Sequence, residues 1–159
     1  MTEILKLLEA DGRLTAPQIA AILDRDPAEV EKIIAECEAE RIILGYTAVI
    51  DWDKTKDELV SALIEVKIAP QLGDGFDRIA ERIYQYEEVD SLYLVSGTFD
   101  LAVIIAGRSM KEIAQFVFAR LAPIDGVTAT STCFLLKKYK EKHRIFYVPP
   151  EQEERIMFV

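Results

Sequence analysis

TAPQIAAILDRDPAEVEKIIAECEAERIILGY, residues Thr15 to Tyr46, carries two helix-start signals about a dozen residues apart, each followed by an apolar stripe. In Thr15-Ala-Pro-Gln18 the threonine can take an orphan amide of the first turn and Gln18 can reach back. Pro17 stands where no amide donor is missed, so a helix is expected from about Ala16. In Asp26-Pro-Ala-Glu29 the aspartate is the N-cap, Pro27 the first helical residue and Glu29 the residue that closes the box, which predicts a helix from Pro27 to about Glu40. Two capped helices at this spacing read as a helix-turn-helix, and that motif implies DNA recognition.

On the second of these helices Val30, Ile33, Ile34 and Cys37 fall on one face, while Ala28, Glu29, Lys32, Ala35, Glu36 and Ala39 fall opposite. The second set is the one expected to face the major groove, with Arg25 and Lys32 as the nearby cations. Glu29 there suits either a cytosine amino group or a cap alone. Upstream, Ile4, Leu7 and Leu8 share one side of a helix that ends before Asp11-Gly12, completing a trihelical core. Downstream, Arg41 to Ile50 alternates around Gly45 like a short hairpin, which makes the unit a winged helix-turn-helix.

Charge opposes the motif. Residues 1–53 hold five basic and twelve acidic side chains, a net of about −7 of the chain's −9. Because phosphate neutralisation supplies most non-specific affinity, such a unit is expected to bind random duplex poorly and to depend on several copies acting together. The alternative is that the acidic helix-turn-helix binds a protein partner.

The rest of the chain reads strand, helix, strand, strand, helix, strand. Val60, Ala62, Ile64, Val66 and Ile68 line one face of the first strand, and Asp74 to Tyr86 is a helix striped by Phe76, Ile79, Ala80 and Ile83. Val89–Ser96 and Leu101–Ala106 are strands joined through Gly97-Thr-Phe-Asp100. Ser109 caps a helix carrying Met110, Ile113, Ala114, Val117 and Leu121, and Val127–Lys137 is the last strand. This is the ferredoxin-like βαββαβ order, so the fold class is α+β. Both helices would cover one sheet face, yet Leu92–Val95 and Leu101–Ile105 are apolar on both faces. A sheet-to-sheet homodimer is the economical cover.

The expected domains are 1–53 for the winged helix-turn-helix, 54–59 as linker, 60–142 for the ferredoxin-like domain and 143–159 as a tail. No apolar run approaches the ~18 residues that span a bilayer, and Met1 leads straight into a helix rather than a signal sequence, so a cytoplasmic protein is expected, without membrane contact. Cys37 and Cys133 fall on apolar faces and read as reduced core residues, with no metal site and no cofactor implied. His143, the only histidine, lies beyond the last strand, and no catalytic constellation can be assembled around it; the chain does not read as an enzyme.

Taken together, Ile4-Leu-Lys-Leu-Leu-Glu-Ala-Asp-Gly-Arg13, Ile42-Ile-Leu-Gly-Tyr46, Ser96-Gly-Thr-Phe-Asp100, Gly126-Val127 with Thr130 and Thr132, and Leu135-Leu-Lys-Lys-Tyr139 resemble the Lrp/AsnC (feast/famine) family of transcriptional regulators, in its short Gram-positive form, from Thr2 to about Lys142. The resemblance implies binding to double-stranded DNA and a RAM/ACT-like C-terminal domain. That domain would form a homodimer, assemble dimers into an octamer or similar ring, and hold a small effector, an amino acid or related metabolite, between dimers. By position it places the effector at Gly97, Thr98, Phe99 and Asp100, with Thr130 and Thr132 across from them. Asp100 would meet an ammonium, and the hydroxyls and exposed backbone a carboxylate. The same residues also suit plainer roles: Gly97 a positive φ in a hairpin turn, Asp100 a turn residue bonded to its own backbone, the threonines simple strand formers. The exposed face of the helix from Pro27 to about Glu40 is poorer in basic and hydroxyl residues than the family pattern. The basic run Lys137, Lys138, Lys140, Lys142 and Arg144 reads as a solvated edge that discourages strand pairing, or as a contact to DNA phosphate or another subunit.

Overall fold

The computed structural model describes residues 1–57, 59–69 and 75–149, in two compact units, Met1–Val49 and from Ile50 onward.

The first unit is three helices, α1 (Thr2–Ala10), α2 (Ala16–Leu23) and α3 (Pro27–Ala39). Each contributes apolar residues at helical spacing to one core. Ile4 and Leu8, Ile19 and Ala20, and Val30 form its centre, with Leu7, Leu14, Leu23, Ile33, Ile34 and Ile43 packed around it. A fully buried isoleucine or valine contributes about 1.5–3 kcal/mol, so Ile4, Ile19 and Val30 at this centre outweigh the weak pull of any one cap. The caps fix where the helices start. Gln18 accepts from the Thr15 backbone amide at 2.8 Å and from its hydroxyl at 3.0 Å. The Asp26 carboxylate accepts from the amides of Ala28 (2.7 Å) and Glu29 (3.2 Å). Asp24 ends α2 in the left-handed region, φ 52°, a conformation aspartate tolerates better than most residues.

The expected wing does not form. Arg41 turns left-handed (φ 57°), and the amides of Ile42 and Ile43 both donate to the Cys37 carbonyl, closing the end of α3. Residues 44–50 then run without a ladder partner among the described residues. Tyr46 leaves any hairpin geometry to donate its hydroxyl to Glu38 at 2.9 Å. Burial and that acceptor both raise the phenol above its ordinary pKa.

The second unit is a four-stranded antiparallel sheet of β1 (Val60–Ile68), β2 (Val89–Leu94), β3 (Leu101–Gly107) and β4 (Val127–Phe134), in spatial order β2-β3-β1-β4. α4 (Gly75–Tyr84) and α5 (Met110–Phe116) cover one face of it. The first residue of the expected fourth helix, Asp74, lies outside the described residues, as do 150–159 of the expected tail. Ala62, Ile64 and Val66 of β1 and Val103 of β3 are fully buried beneath Ile79, Ile83, Ile113 and Leu121. Ser109 caps α5 by accepting from the Glu112 amide at 3.2 Å.

The stripe of α5 differs from expectation. The helix passes into a π-helical turn, Val117–Leu121, whose extra residue rotates the inward face. Ile113, Phe116 and Leu121 are buried, whereas Met110 and Ala114 face solvent. Gly126, at φ 94°, is where the chain needs a glycine to enter β4.

Strand alternation puts Leu63, Glu65 and Lys67 of β1, Ala102 and Ile104 of β3, and Tyr93 of β2 on the sheet face away from the helices. Across that face Leu63 is flanked by Ile104 on one side and Cys133 on the other, and Ala102 lies between Glu65 and Tyr93. Cys133 is therefore exposed, not a core residue as expected; Cys37 is buried. The last strand, expected to reach Lys137, ends at Phe134, and beyond it the basic run forms a hairpin of β5 (Lys140–Glu141) and β6 (Arg144–Ile145), with His143, expected at the start of a tail, in its turn.

Candidate functional site

In α3, Ala28, Glu29, Lys32, Ala35, Glu36 and Ala39 all lie on the exposed face, opposite buried Val30 and Cys37. Their charges are paired with each other. The Arg25 guanidinium holds Glu29 at 2.5 Å, and Lys32 stands 3.8 Å from Glu36. Glu29 thus does not close a capping box; a guanidinium one turn away outcompetes the neutral backbone amide it would have reached. The hydrogen bond from Arg25 lowers the Glu29 pKa, and the same bond raises that of Arg25. The carboxylate's share of this pairing is present at neutral pH and fades as pH falls through its lowered value. Both cations expected to meet phosphate are therefore already committed. Replacing Glu29 with glutamine releases Arg25 and removes one negative charge. Affinity for duplex should rise and log K should fall more steeply with log salt, by about one ion. Fluorescence anisotropy across a salt series measures this, and an unchanged slope would place Arg25 away from the DNA.

Behind α3 a pocket of about 340 Å³ has an apolar floor of Leu8, Leu14 and Ile34 and a rim that includes Glu31, Glu38 and Tyr46.

On the uncovered sheet face a second pocket, about 220 Å³, is lined by Glu65, Lys67, Thr98, Phe99, Ala129, Thr130 and Ser131. Three of the six residues expected to hold an effector, Thr98, Phe99 and Thr130, come together here. The other three do not. Gly97 has open space where a Cβ would stand and no positive φ, so the turn does not require glycine there. Thr132 pairs across the ladder with Ile64, on the register of the helix-covered side. Asp100 is structural: its carboxylate accepts from the Ile68 amide at 2.8 Å, its own amide donates to Val66 and its carbonyl accepts from Val95. One oxygen of this carboxylate is spent on a backbone amide at the end of β1. It anchors the 96–100 turn that forms one wall of the pocket.

Glu65 and Lys67 supply what Asp100 does not. They are two residues apart on one strand face, and their side-chain charges make no hydrogen bond or ion pair with the described residues. A carboxylate and an ammonium in a pocket also lined by hydroxyl-bearing Thr98 and Ser131 match the two ends of a zwitterion, whereas Thr130 pairs with buried Val66 and directs its side chain to the helix-covered side. The signal was present in the sequence as opposite charges at alternate positions of a strand whose outward face was expected to be covered. A larger hollow of about 290 Å³ beside α5 lacks this pairing, because Arg120, which lines it, is engaged by Glu88 at 3.4 Å and stacks on Tyr86.

Among the described residues no helix is long and apolar enough to cross a membrane, and no group of three His, Cys, Asp or Glu side chains is placed to hold a metal ion. A helical unit with an exposed, charge-paired helix stands in one chain with a sheet that carries a small polar pocket. The family model of the Lrp/AsnC ligand binding domain matches residues 61–145. The HTH-type transcriptional regulator YugG of Bacillus subtilis is 45% identical over 146 residues, 91% of this chain and 88% of the relative. The chain belongs to the Lrp/AsnC family of transcriptional regulators, and it is not an enzyme.

Solved structures agree in fold. A transcriptional regulator from Neisseria meningitidis in complex with L-Met has a TM-score of 0.71 at 22% identity, covering 95% of each chain. A feast or famine regulatory protein from M. tuberculosis complexed with L-methionine has a TM-score of 0.73 at 21% identity, covering 93% of this chain and 96% of the other.

Proposed function

We propose that this chain is a cytoplasmic, DNA-binding regulator of amino-acid or related metabolism, whose assembly and DNA binding respond to an amino acid held on the sheet's open face. In this reading residues 1–53 are the helix-turn-helix reader, 54–59 the linker and 60–142 a ferredoxin-like, RAM/ACT-like effector and assembly module. The observation that carries the reading is the pair of opposite charges, Glu65 and Lys67, in a pocket that Thr98 and Ser131 also line. The L-methionine complexes of two structural neighbours support an amino acid as occupant. To meet phosphate, Arg25 and Lys32 would exchange their exposed pairings with Glu29 and Glu36 for the DNA, with Ala28, Ala35 and Glu36 toward the bases.

Ile104, Leu63, Cys133 and Tyr93 make the open face partly apolar, which suits a homodimer through the sheets, and dimers would associate further, to an octamer or similar ring. An effector bound on that face between dimers changes the geometry of assembly and so the number of readers that reach one DNA molecule. Weak readers gain through effective concentration what each lacks in charge.

The test is selection of bound duplexes from a random pool at low salt, with and without L-methionine and the other common amino acids. A partly palindromic motif whose yield changes with an amino acid is expected. The second reading, a sensor whose acidic helical unit binds a protein, draws on the acid-rimmed pocket behind α3 and on the pairing of Arg25 and Lys32 with carboxylates. No enrichment from folded, oligomeric protein would favour it.

A further inference from the structure

The basic run past β4 has no place in the assignments above. As a guard against strand pairing it would have to lie along the sheet edge. The edge strand β4 ends at Phe134 and carries no lysine or arginine. The cations stand beyond it, on a hairpin of their own.

That hairpin is held in shape. β5 and β6 pair in register, Lys140 with Ile145 and Glu141 with Arg144, and the Phe146 amide extends the ladder to the Tyr139 carbonyl at 2.9 Å. At its base the Lys137 ammonium sits 3.8 Å from the Tyr147 ring centre and 5.1 Å from that of Tyr139, and the two rings meet edge to face at 5.8 Å. Lys138 is tied to Glu141 at 2.7 Å and stacks on Phe146. At the tip Lys142 and His143 are both left-handed, φ 43° and 65°, the backbone of a tight hairpin turn that asparagine and glycine hold with least strain. A lysine and a histidine occupy it instead, presenting a charge and a ring to solvent. Lys140, Lys142 and Arg144 are all exposed. Residues 137–144 thus hold five cations against the single acid Glu141, in a chain of net charge −9.

We propose that this hairpin is a second contact to double-stranded DNA, with Lys140 and Lys142 meeting the phosphate backbone. The inference rests on the DNA-binding reading and supplies what the reader lacks: cations that are exposed, rigidly presented and, for Lys140 and Lys142, engaged by no described carboxylate. Contacts of this kind carry affinity and no sequence preference.

The experiment compares the full-length protein with Lys140→Gln/Lys142→Gln, titrated against a selected duplex and a random one from 50 to 200 mM salt. The variant should bind both duplexes about 10- to 100-fold more weakly, with a log–log salt slope shallower by about two, since each lost phosphate contact removes about 0.9 of a released ion. Lys140→Arg/Lys142→Arg should restore both. Sedimentation of the same samples tests assembly. Wild-type binding with unchanged affinity and slope in the glutamine variant overturns the hairpin contact and leaves the regulator reading intact. So does dissociation of the oligomer at unchanged slope, which would make the hairpin a subunit contact. Failure of the wild-type protein to bind any duplex overturns both.

Discussion

Under the proposed sheet-to-sheet dimer, Ile104→Asp should leave folded monomers. Ile104 is half-buried on the open sheet face, beside Leu63 and one strand from Cys133. Its side chain points away from Ile64, Val103 and Ile113, so the helix-packed core loses nothing. In a sheet-to-sheet dimer, however, each protomer would bring an unpaired carboxylate into an apolar contact. An uncompensated buried charge costs about 3–5 kcal/mol, which weakens association by roughly 10²- to 10³-fold or more. Sedimentation at micromolar concentration separates the outcomes: a monomer with native circular dichroism is expected, and an unchanged oligomer would move the interface to another surface. Affinity for DNA should fall with the dimer, because single acidic readers have little of their own.

Asp100→Ala and Glu65→Gln should separate stability from sensing. Removing the Asp100 carboxylate leaves the Ile68 amide, partly buried at the end of β1, without its acceptor. An orphaned amide of this kind costs about 1–3 kcal/mol, visible as a lower denaturation midpoint. Asp100→Asn keeps an acceptor oxygen and should recover most of the loss. Glu65→Gln touches no internal bond, so stability should stay within about 0.5 kcal/mol of wild type. The neutral amide no longer answers an ammonium, so whichever amino acid changes the wild type's sedimentation or DNA binding under the proposed reading should cease to do so. If instead Asp100→Asn alone abolished the response at full stability, Asp100 would be the ligand's partner and Glu65 a bystander.

The parts of the fold legible in sequence are those set by short-range chemistry. Thr15, Pro17 and Asp26 place helix starts because an N-cap acts within one turn. The alternation of Val60 to Ile68 places a strand because side chains on neighbouring residues point to opposite faces. The misread parts are those where a distant group competes for a side chain. Tyr46 abandons the wing for Glu38, Glu29 is claimed by Arg25, and Asp100 is claimed by an amide 32 residues away. Cys133 looked like a core residue since β4 alternates polar and apolar weakly, and only its pairing with Leu63 shows which face it takes. The π-helical turn after Phe116 shifts the phase on which Leu121 is buried, and a one-residue insertion has no signature in a periodic pattern. The candidate pocket was half legible: the turn at Thr98 and Phe99 and the strand at Thr130 are there, but Glu65 and Lys67 join them only through sheet pairing.

The pairing of Arg25 with Glu29 bears finally on how such a protein would be distributed along a chromosome. A strongly cationic reader is soaked up by the vast excess of unrelated sequence, and its free concentration is a small remainder. A reader whose cations are already neutralised is held loosely by that reservoir. The reader itself would then add little to that hold, leaving sequence-independent affinity to contacts outside α3 and letting the number of copies on any one DNA molecule set how firmly it is kept.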